Sequence, residues 1–233
     1  VITDHSGNAR HGSAATGQVL TLNGTTAYVD LPNSGDIHTA GGAFTYEAWI
    51  KTSVLGSRQE ILTIGGVATD AGTFFFVNDA GQLQFDFFGQ IGIQTTAEVA
   101  DGQWHHVAVS FDGTTGLALY VDGASAATGT VTDTINIGDG FAAIGYRQDT
   151  PSNYFNGQID DVRIWGDVRS QAEIEAQMHR TLSGSESDLI AYYSFDDDVT
   201  AVDNNQGTAG LDGTLQGNAA VTATASSPVV SGP

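Results

Sequence analysis

The chain has 233 residues and no cysteine, and it sets 27 acidic against 7 basic side chains, a formal charge of −20. The length suits one all-β sandwich domain, the missing cysteines exclude disulfides and zinc–thiolate sites, and the acidity argues against nucleic acid and anionic membrane as partners. No apolar run is long enough to span a membrane, and a start at Val1 rather than Met points to a piece of a larger protein.

Val1–Gly17 reads as polar loop. Asp4, Ser6 and Asn8 offer side-chain oxygens at alternate positions, and Gly7 and Gly12 let the backbone curl so that carbonyls converge. Gln18–Leu22 and Ala27–Leu31 predict a hairpin turned at Asn23–Gly24. Phe44–Lys51 predicts a strand with Phe44, Tyr46, Ala48 and Ile50 on one face and Thr45, Glu47, Trp49 and Lys51 on the other. Gln59–Ile64 follows. Thr73–Val77 and Leu83–Phe88 are aromatic strands joined through Asn78–Gln82. Phe74, Phe75 and Phe76 are consecutive, so at least one must face away from the core. Gln90–Val99 is the next strand.

Asp101–Gly123 then gives a hairpin. His105, Val107, Val109 and Phe111 alternate with Trp104, His106, Ala108 and Ser110, and Leu117, Leu119 and Val121 alternate with Ala118 and Tyr120 across a glycine-bearing turn. Val131–Gly138 and Phe141–Tyr146 are read as strands leading into a loop at Arg147–Asn153, and Gly157–Trp165 as the last main strand. Ser170 and Glu173 form a capping box for one helix, with Ile174 and Met178 on a shared face and an end near Thr181. Leu189–Phe195 is a further strand. The acidic, glycine-rich tail from Asp196 is either a degenerate repeat boundary or a segment that closes back beside the N terminus. The expected division is one domain over residues 1–225 and a linker over 226–233.

Four stretches carry a resemblance. They are Trp104-His105-His106-Val107 with Leu119-Tyr120-Val121-Asp122-Gly123; Leu22-Asn23-Gly24 with Tyr28-Val29-Asp30-Leu31-Pro32; Phe44 to Ile50; and Phe155 to Trp165. Together they resemble laminin-G-like, concanavalin A-like jelly-roll domains over nearly the whole chain. The resemblance implies an all-β fold, a two-sheet antiparallel β-sandwich with one short helix. That superfold hosts lectins, carbohydrate-binding modules, adhesion domains and some glycosidases, so it leaves function open.

The resemblance also implies a cofactor. Asp4, Ser6, Asn8 and the backbone at His11 are similar to the family's D-x-S-G-N-x-x-x-G loop, which in relatives helps hold a structural calcium ion, and Asp160 stands where the partner carboxylate is expected. Calcium takes six to eight oxygens at roughly 2.3–2.6 Å. The alternative is an Asx-turn at Asp4 and an ion pair of Asp160 or Asp161 with Arg163. Asp196, Asp197 and Asp198 are a second cation site or a solvated charge run. The overall acidity fits solubility or calcium equally.

For sugar contact, an aromatic ring and planar polar groups are needed together. Tyr146, Arg147, Asp149, Asn153 and Tyr154 offer this mix in one loop region, and Asp79, near Gln82, Asp86 and Gln90, in another. The alternative is that these aromatics fill the sandwich. No Glu-x-Asp-x-x-Glu or Glu-x-Asp-x-Glu run marks a glycosidase strand. Glu47, Trp49, Trp104 and His106 share a face, where a Glu–His pair does acid–base work or makes a structural hydrogen bond. The histidines form no zinc pattern.

The expectation is therefore a non-catalytic, calcium-stabilised module of a larger secreted or cell-surface bacterial protein. Its expected partners are a glycan or cell-surface polysaccharide and the neighbouring domains of its chain. The alternative is a structural or protein–protein interaction module without a glycan site of its own; a glycosidase-like domain comes third.

Overall fold

The structure, a computed structural model, describes residues 17–32, 35, 37, 42–65, 72–88, 90–131, 137–138, 140–148, 153–196, 202, 211–224 and 227–229. Among these the strands are β1 (Gly17–Asn23), β2 (Tyr28–Leu31), β3 (Phe44–Lys51), β4 (Gln59–Gly65), β5 (Gly72–Val77), β6 (Gln82–Phe87), β7 (Gln90–Glu98), β8 (His105–Phe111), β9 (Gly116–Val121), β10 (Ala124–Thr130), β11 (Ala142–Ile144), β12 (Asn156–Trp165), β13 (Leu189–Tyr193), β14 (Thr214–Gln216) and β15 (Ala220–Thr224), with helix α1 (Gln171–Gln177) before β13.

Two antiparallel sheets face each other. One has eight strands in the order β10-β9-β8-β3-β12-β1-β15, with β13 also paired to β12; the other has seven, ordered β14-β2-β11-β4-β5-β6-β7. Alternation drives the packing. Phe44, Tyr46, Ala48 and Ile50 of β3 and Val107, Val109 and Phe111 of β8 join the core, as their period-two spacing requires. Across the gap, Phe44 meets Phe85 at 5.8 Å between centroids and Phe87 meets Phe111 at 5.2 Å.

Strands β3 and β12 are buried on both faces, because α1 covers the outer side of the eight-stranded sheet. Ser170 accepts the Glu173 amide while Glu173 Oε2 accepts the Ser170 amide at 2.8 Å. Ile174 then packs on Ala108 and Tyr120. The far end of the helix is held by the sheet. Arg163 donates to the carbonyls of Gln177 (3.1 Å) and Arg180 (2.7 Å), and Trp49 Nε1 donates to that of Met178 (2.8 Å). A cation at a helix C terminus complements the helix dipole.

Strand β12 carries the feature that positions a site. Asp161 has φ of 48°, and the register against β3 slips between Asp160, opposite Trp49, and Arg163, opposite Glu47. This bulge divides the far edge of β12. Ile159 pairs Leu20 of β1 before it, and Val162 pairs Tyr193 of β13 after it.

Three expectations change, and an alternative left open is decided. Strands β1 and β2 are not a hairpin: they lie in different sheets. Asn23 Oδ1 accepts the amides of Thr25, Thr26 and Ala27, and this turn carries the chain over the rim. The strand after Asp122–Gly123 is Ala124–Thr130, which has no apolar alternation to announce it; most of the expected strand Val131–Gly138 lies outside the described residues. Helix α1 stops at Gln177, short of Thr181. The tail closes back rather than starting a repeat, with β15 on β1 and β14 on β2. Ser227 and Val229, inside the stretch given to a linker on composition, are buried against the sandwich.

Candidate functional site

The outer face of the seven-stranded sheet gathers aromatic and charged side chains. Phe75 of β5 points into the core, so Phe74 and Phe76 go to the outer side. Each carries a guanidinium: Arg58 lies 3.4 Å from the Phe76 centroid, and Arg147 lies 4.0 Å from that of Phe74. Glu60, opposite Phe76 on β4, accepts Arg58 Nε at 2.6 Å. Asp86, opposite Phe74 on β6, lies 3.8 Å from Arg58 Nη1. Burial pushes the Glu60 carboxyl up to about 7, although Arg58 and Arg147 pull it down.

Beside this lies a tyrosine cluster. Tyr146 and Tyr154 stack at 4.6 Å with planes 21° apart, and Tyr28 sits 4.6 Å from Tyr146. All three are half-buried. Burial raises the carboxyl of Asp30, two residues along β2 on the same face as Tyr28.

Of the residues expected to meet a sugar, Tyr146, Arg147 and Tyr154 come together here, with half-buried Asn153 next to Tyr154. Asp149 lies outside the described residues. Asp79 is placed elsewhere, exposed at the β5–β6 turn, where its carbonyl accepts the Gly56 amide. Sequence reasoning missed Tyr28, Arg58 and Glu60. The first was signalled by Tyr28 and Asp30 alternating with core residues Val29 and Leu31.

The β12 bulge makes a second site. Asp160 is 1% exposed. Ser227 Oγ donates to its Oδ2 at 3.1 Å, and Asp196 Oδ1 accepts the amide of Gln18 at 2.8 Å. Gly17 is wedged there: a Cβ on it would lie 2.6 Å from Ser227 Cβ and 3.4 Å from Asp196 Oδ1. Burial pushes the Asp160 carboxyl well above the usual range, and the Asp161 and Asp196 carboxylates add to this.

Adjacent carboxylates on a regular strand should face opposite ways, but the bulge keeps both on the outer side. Asp161 takes the Arg163 ion pair at 3.6 Å and the Tyr192 hydroxyl bond; burial pushes it up to about 6. Asp160 has no cation beside it among the described residues. The buried Asp160 carboxyl and Ser227 hydroxyl, with the exposed Asp196 carboxylate, are oxygens from three chain segments that fit a hard cation in chemistry. The described residues alone hold no group of three or more Asp, Glu or His side chains arranged for a metal. Asp4, Ser6, Asn8 and His11 lie outside the described residues.

The Glu47–His106 pair forms, with His106 Nε2 3.2 Å from Glu47 Oε2. Trp165 Nε1 donates to Glu47 Oε1 at 2.6 Å, and Arg163 is 4.0 Å away. Burial drives His106 towards its neutral form. Glu47 stays below the usual range, because His106, Arg163 and Trp165 together outweigh its burial. Both lie beneath α1, out of reach of a substrate, so the pair is structural. His105 is held separately, between Asp122 (2.9 Å) and Asp101 (3.2 Å).

Residues 23–175 match the family model described as the concanavalin A-like lectin/glucanases superfamily. Among solved structures the chain is similar to a candidate carbohydrate-binding protein of Bacteroides ovatus, at 21% identity and a TM-score of 0.70, covering 93% of this chain and 62% of that one. It thus spans less than two thirds of that protein. It is also similar to domain 4 of AbnA, a GH43 extracellular arabinanase of Geobacillus stearothermophilus solved with arabinotriose (19% identity, 68% and 75% covered, TM-score 0.55). A third is the CBM40 of the Ruminococcus gnavus IT-sialidase bound to α2,3-sialyllactose (21% identity, 58% and 82% covered, TM-score 0.51). At these identities the likeness is one of fold. No curated protein matches the chain.

Proposed function

The chain belongs to the concanavalin A-like lectin/glucanase superfamily, and on that premise we propose that it is a non-catalytic carbohydrate-binding module. The observation that carries this is the stacked Tyr146–Tyr154 pair with Arg147 beside it on an outer sheet face. Sugars offer an apolar ring face to an aromatic and hydroxyls to planar polar groups, and both are present within one patch. The B. ovatus, arabinanase and sialidase relatives, each described by a sugar-related role or ligand, support the same reading. Arg58 engages both Glu60 and Asp86, which favours binding over hydrolysis, since a glycosidase needs its two carboxyl groups free to act as acid and nucleophile or base.

The module works outside the cell or at its surface, within a longer bacterial chain. Its N-terminal loop is clamped by calcium through Asp160 and Asp196, with Asp4, Ser6, Asn8 and the backbone at His11 completing the shell. The desolvated Asp160, with no cation beside it among the described residues, supports this, since a divalent ion would relieve the crowding of carboxylates there. A module without a glycan site is the competing reading, favoured by the burial of Phe74 and Phe76 beneath the arginines. A glycan array in calcium separates the two. The lectin reading expects hits that the Tyr146→Ala, Tyr154→Ala double variant loses. A blank array would leave the structural module.

A further inference from the structure

Three polar atoms on the outer face of the seven-stranded sheet are buried without a hydrogen-bond partner among the described residues: Arg58 Nη2, Glu60 Oε2 and Thr63 Oγ1. They come from β4 and the residue leading into it. Their places are tied together by register, with Glu60 opposite Phe76 and Thr63 opposite Phe74. A buried donor or acceptor left unmet is destabilising. A donor, an acceptor and a hydroxyl left unmet by the described residues on one outward face are what an incoming polar group would meet.

The geometry also fixes what such a group offers. Arg58 is held by its Nε bond to Glu60 (2.6 Å) and by its place over the Phe76 ring, with Cζ 3.4 Å from the centroid. Its Nη2 and the second oxygen of Glu60 therefore present a donor beside an acceptor. Two neighbouring hydroxyls match that pair: each hydroxyl both donates and accepts, so one gives its proton to Glu60 and the other receives one from Arg58. Thr63 takes either role.

Charge selects among sugars. The face sets the carboxylates of Glu60, Asp86 and Asp30 against the guanidiniums of Arg58 and Arg147, on a chain of formal charge −20. Arg58 is already claimed by Glu60 and, at 3.8 Å, by Asp86. A sugar carboxylate entering here would meet the carboxylates of Asp86 and Asp30, and that of Glu60 once it ionises, in a partly desolvated setting. Arg147, stacked on Phe74 opposite Thr63 and close enough to draw the Glu60 carboxyl down, is the neighbouring long side chain.

We propose that Arg58, Glu60 and Thr63 form a hydroxyl-reading subsite for an uncharged sugar with neighbouring hydroxyls, reached by displacement of the Arg147 side chain. The proposal rests on the carbohydrate-binding reading above and adds the ligand's charge class and the residues that choose it. The test is an array of neutral oligosaccharides, arabinotriose and lactose among them, beside acidic ones, sialyllactose and oligogalacturonate among them. Calorimetry of the strongest hit then follows on wild type, Glu60→Gln and Thr63→Val.

Neutral hits are expected, with at least tenfold weaker binding in Glu60→Gln and several-fold weaker binding in Thr63→Val, both variants melting cooperatively. Should Glu60→Gln fail to fold, Thr63→Val decides. Hits confined to acidic sugars, or neutral binding that neither variant weakens, would overturn the subsite and leave the module a lectin. A blank array for both classes would remove the carbohydrate reading itself, and the subsite with it.

Discussion

Glu60 is a carboxyl group in a place that dislikes charge. Burial holds its folded-state value near 7, against an ordinary 4.5. Between those two values the folded protein keeps a proton that the unfolded chain has released. Stability from this group is therefore full below about pH 4.5 and is lost as pH rises through about 7. At 1.36 kcal/mol per unit the most it can withdraw is roughly 3 kcal/mol. Glu60→Gln keeps the acceptor for Arg58 Nε and removes the titration. Thermal melting from pH 5 to pH 8 should show wild type losing several degrees more than the variant, whereas parallel curves would mean that Glu60 is ionised throughout. The residue's role was hidden in the sequence, because an isolated Arg58 and Glu60 carry no motif and only the pairing of β4 with β5 sets them over Phe74 and Phe76.

At the level of elements, α1 depends on Arg163 as well as on its own capping box. That guanidinium serves two helix-end carbonyls and faces the buried carboxylates of Asp161 and Glu47. Arg163→Met would take the guanidinium from both acids. Removing one partner of a buried charge pair costs about 3–5 kcal/mol, or roughly 6–20 °C of Tm for a domain of this size. Arg163→Lys should recover less than half of that, since an ammonium cannot reproduce the fork; full recovery would contradict this account. The helix start was legible, because Ser170 and Glu173 satisfy each other locally. Its end was not, because the donors that stop it come from β3 and β12. Strand β3 could be read to the residue, its alternation matching a core on one side. The β1–β2 connection misled for the converse reason: Asn23–Gly24 makes a tight turn, yet the flanking strands find better partners in β12 and β11. In the same way the bulge at Asp161 overrode the alternation expected for Asp160 and Asp161.

The whole molecule is closed by its ends. The start of β1 pairs with β15 across Gly17 and Thr224, and Asp160, Asp196 and Ser227 meet at that seam. If calcium binds there, a hundredfold excess over Kd adds about 2.7 kcal/mol, or roughly 5–11 °C. Wild type should lose this in EDTA. Asp160→Asn should melt at the same temperature with and without calcium, and in EDTA no lower than wild type, because it removes a desolvated carboxylate. Equal melting of wild type in calcium and EDTA would assign the acidity to solubility alone.

The central claim is that the tyrosine-bearing outer face binds sugar. Titration of the strongest array sugar into wild type and into the Tyr146→Ala, Tyr154→Ala double variant tests it most directly. Each stacked ring contributes about 1 kcal/mol, so the double variant should bind at least tenfold more weakly while keeping its Tm within a few degrees. Equal affinity in a folded double variant would place the sugar elsewhere and contradict the account.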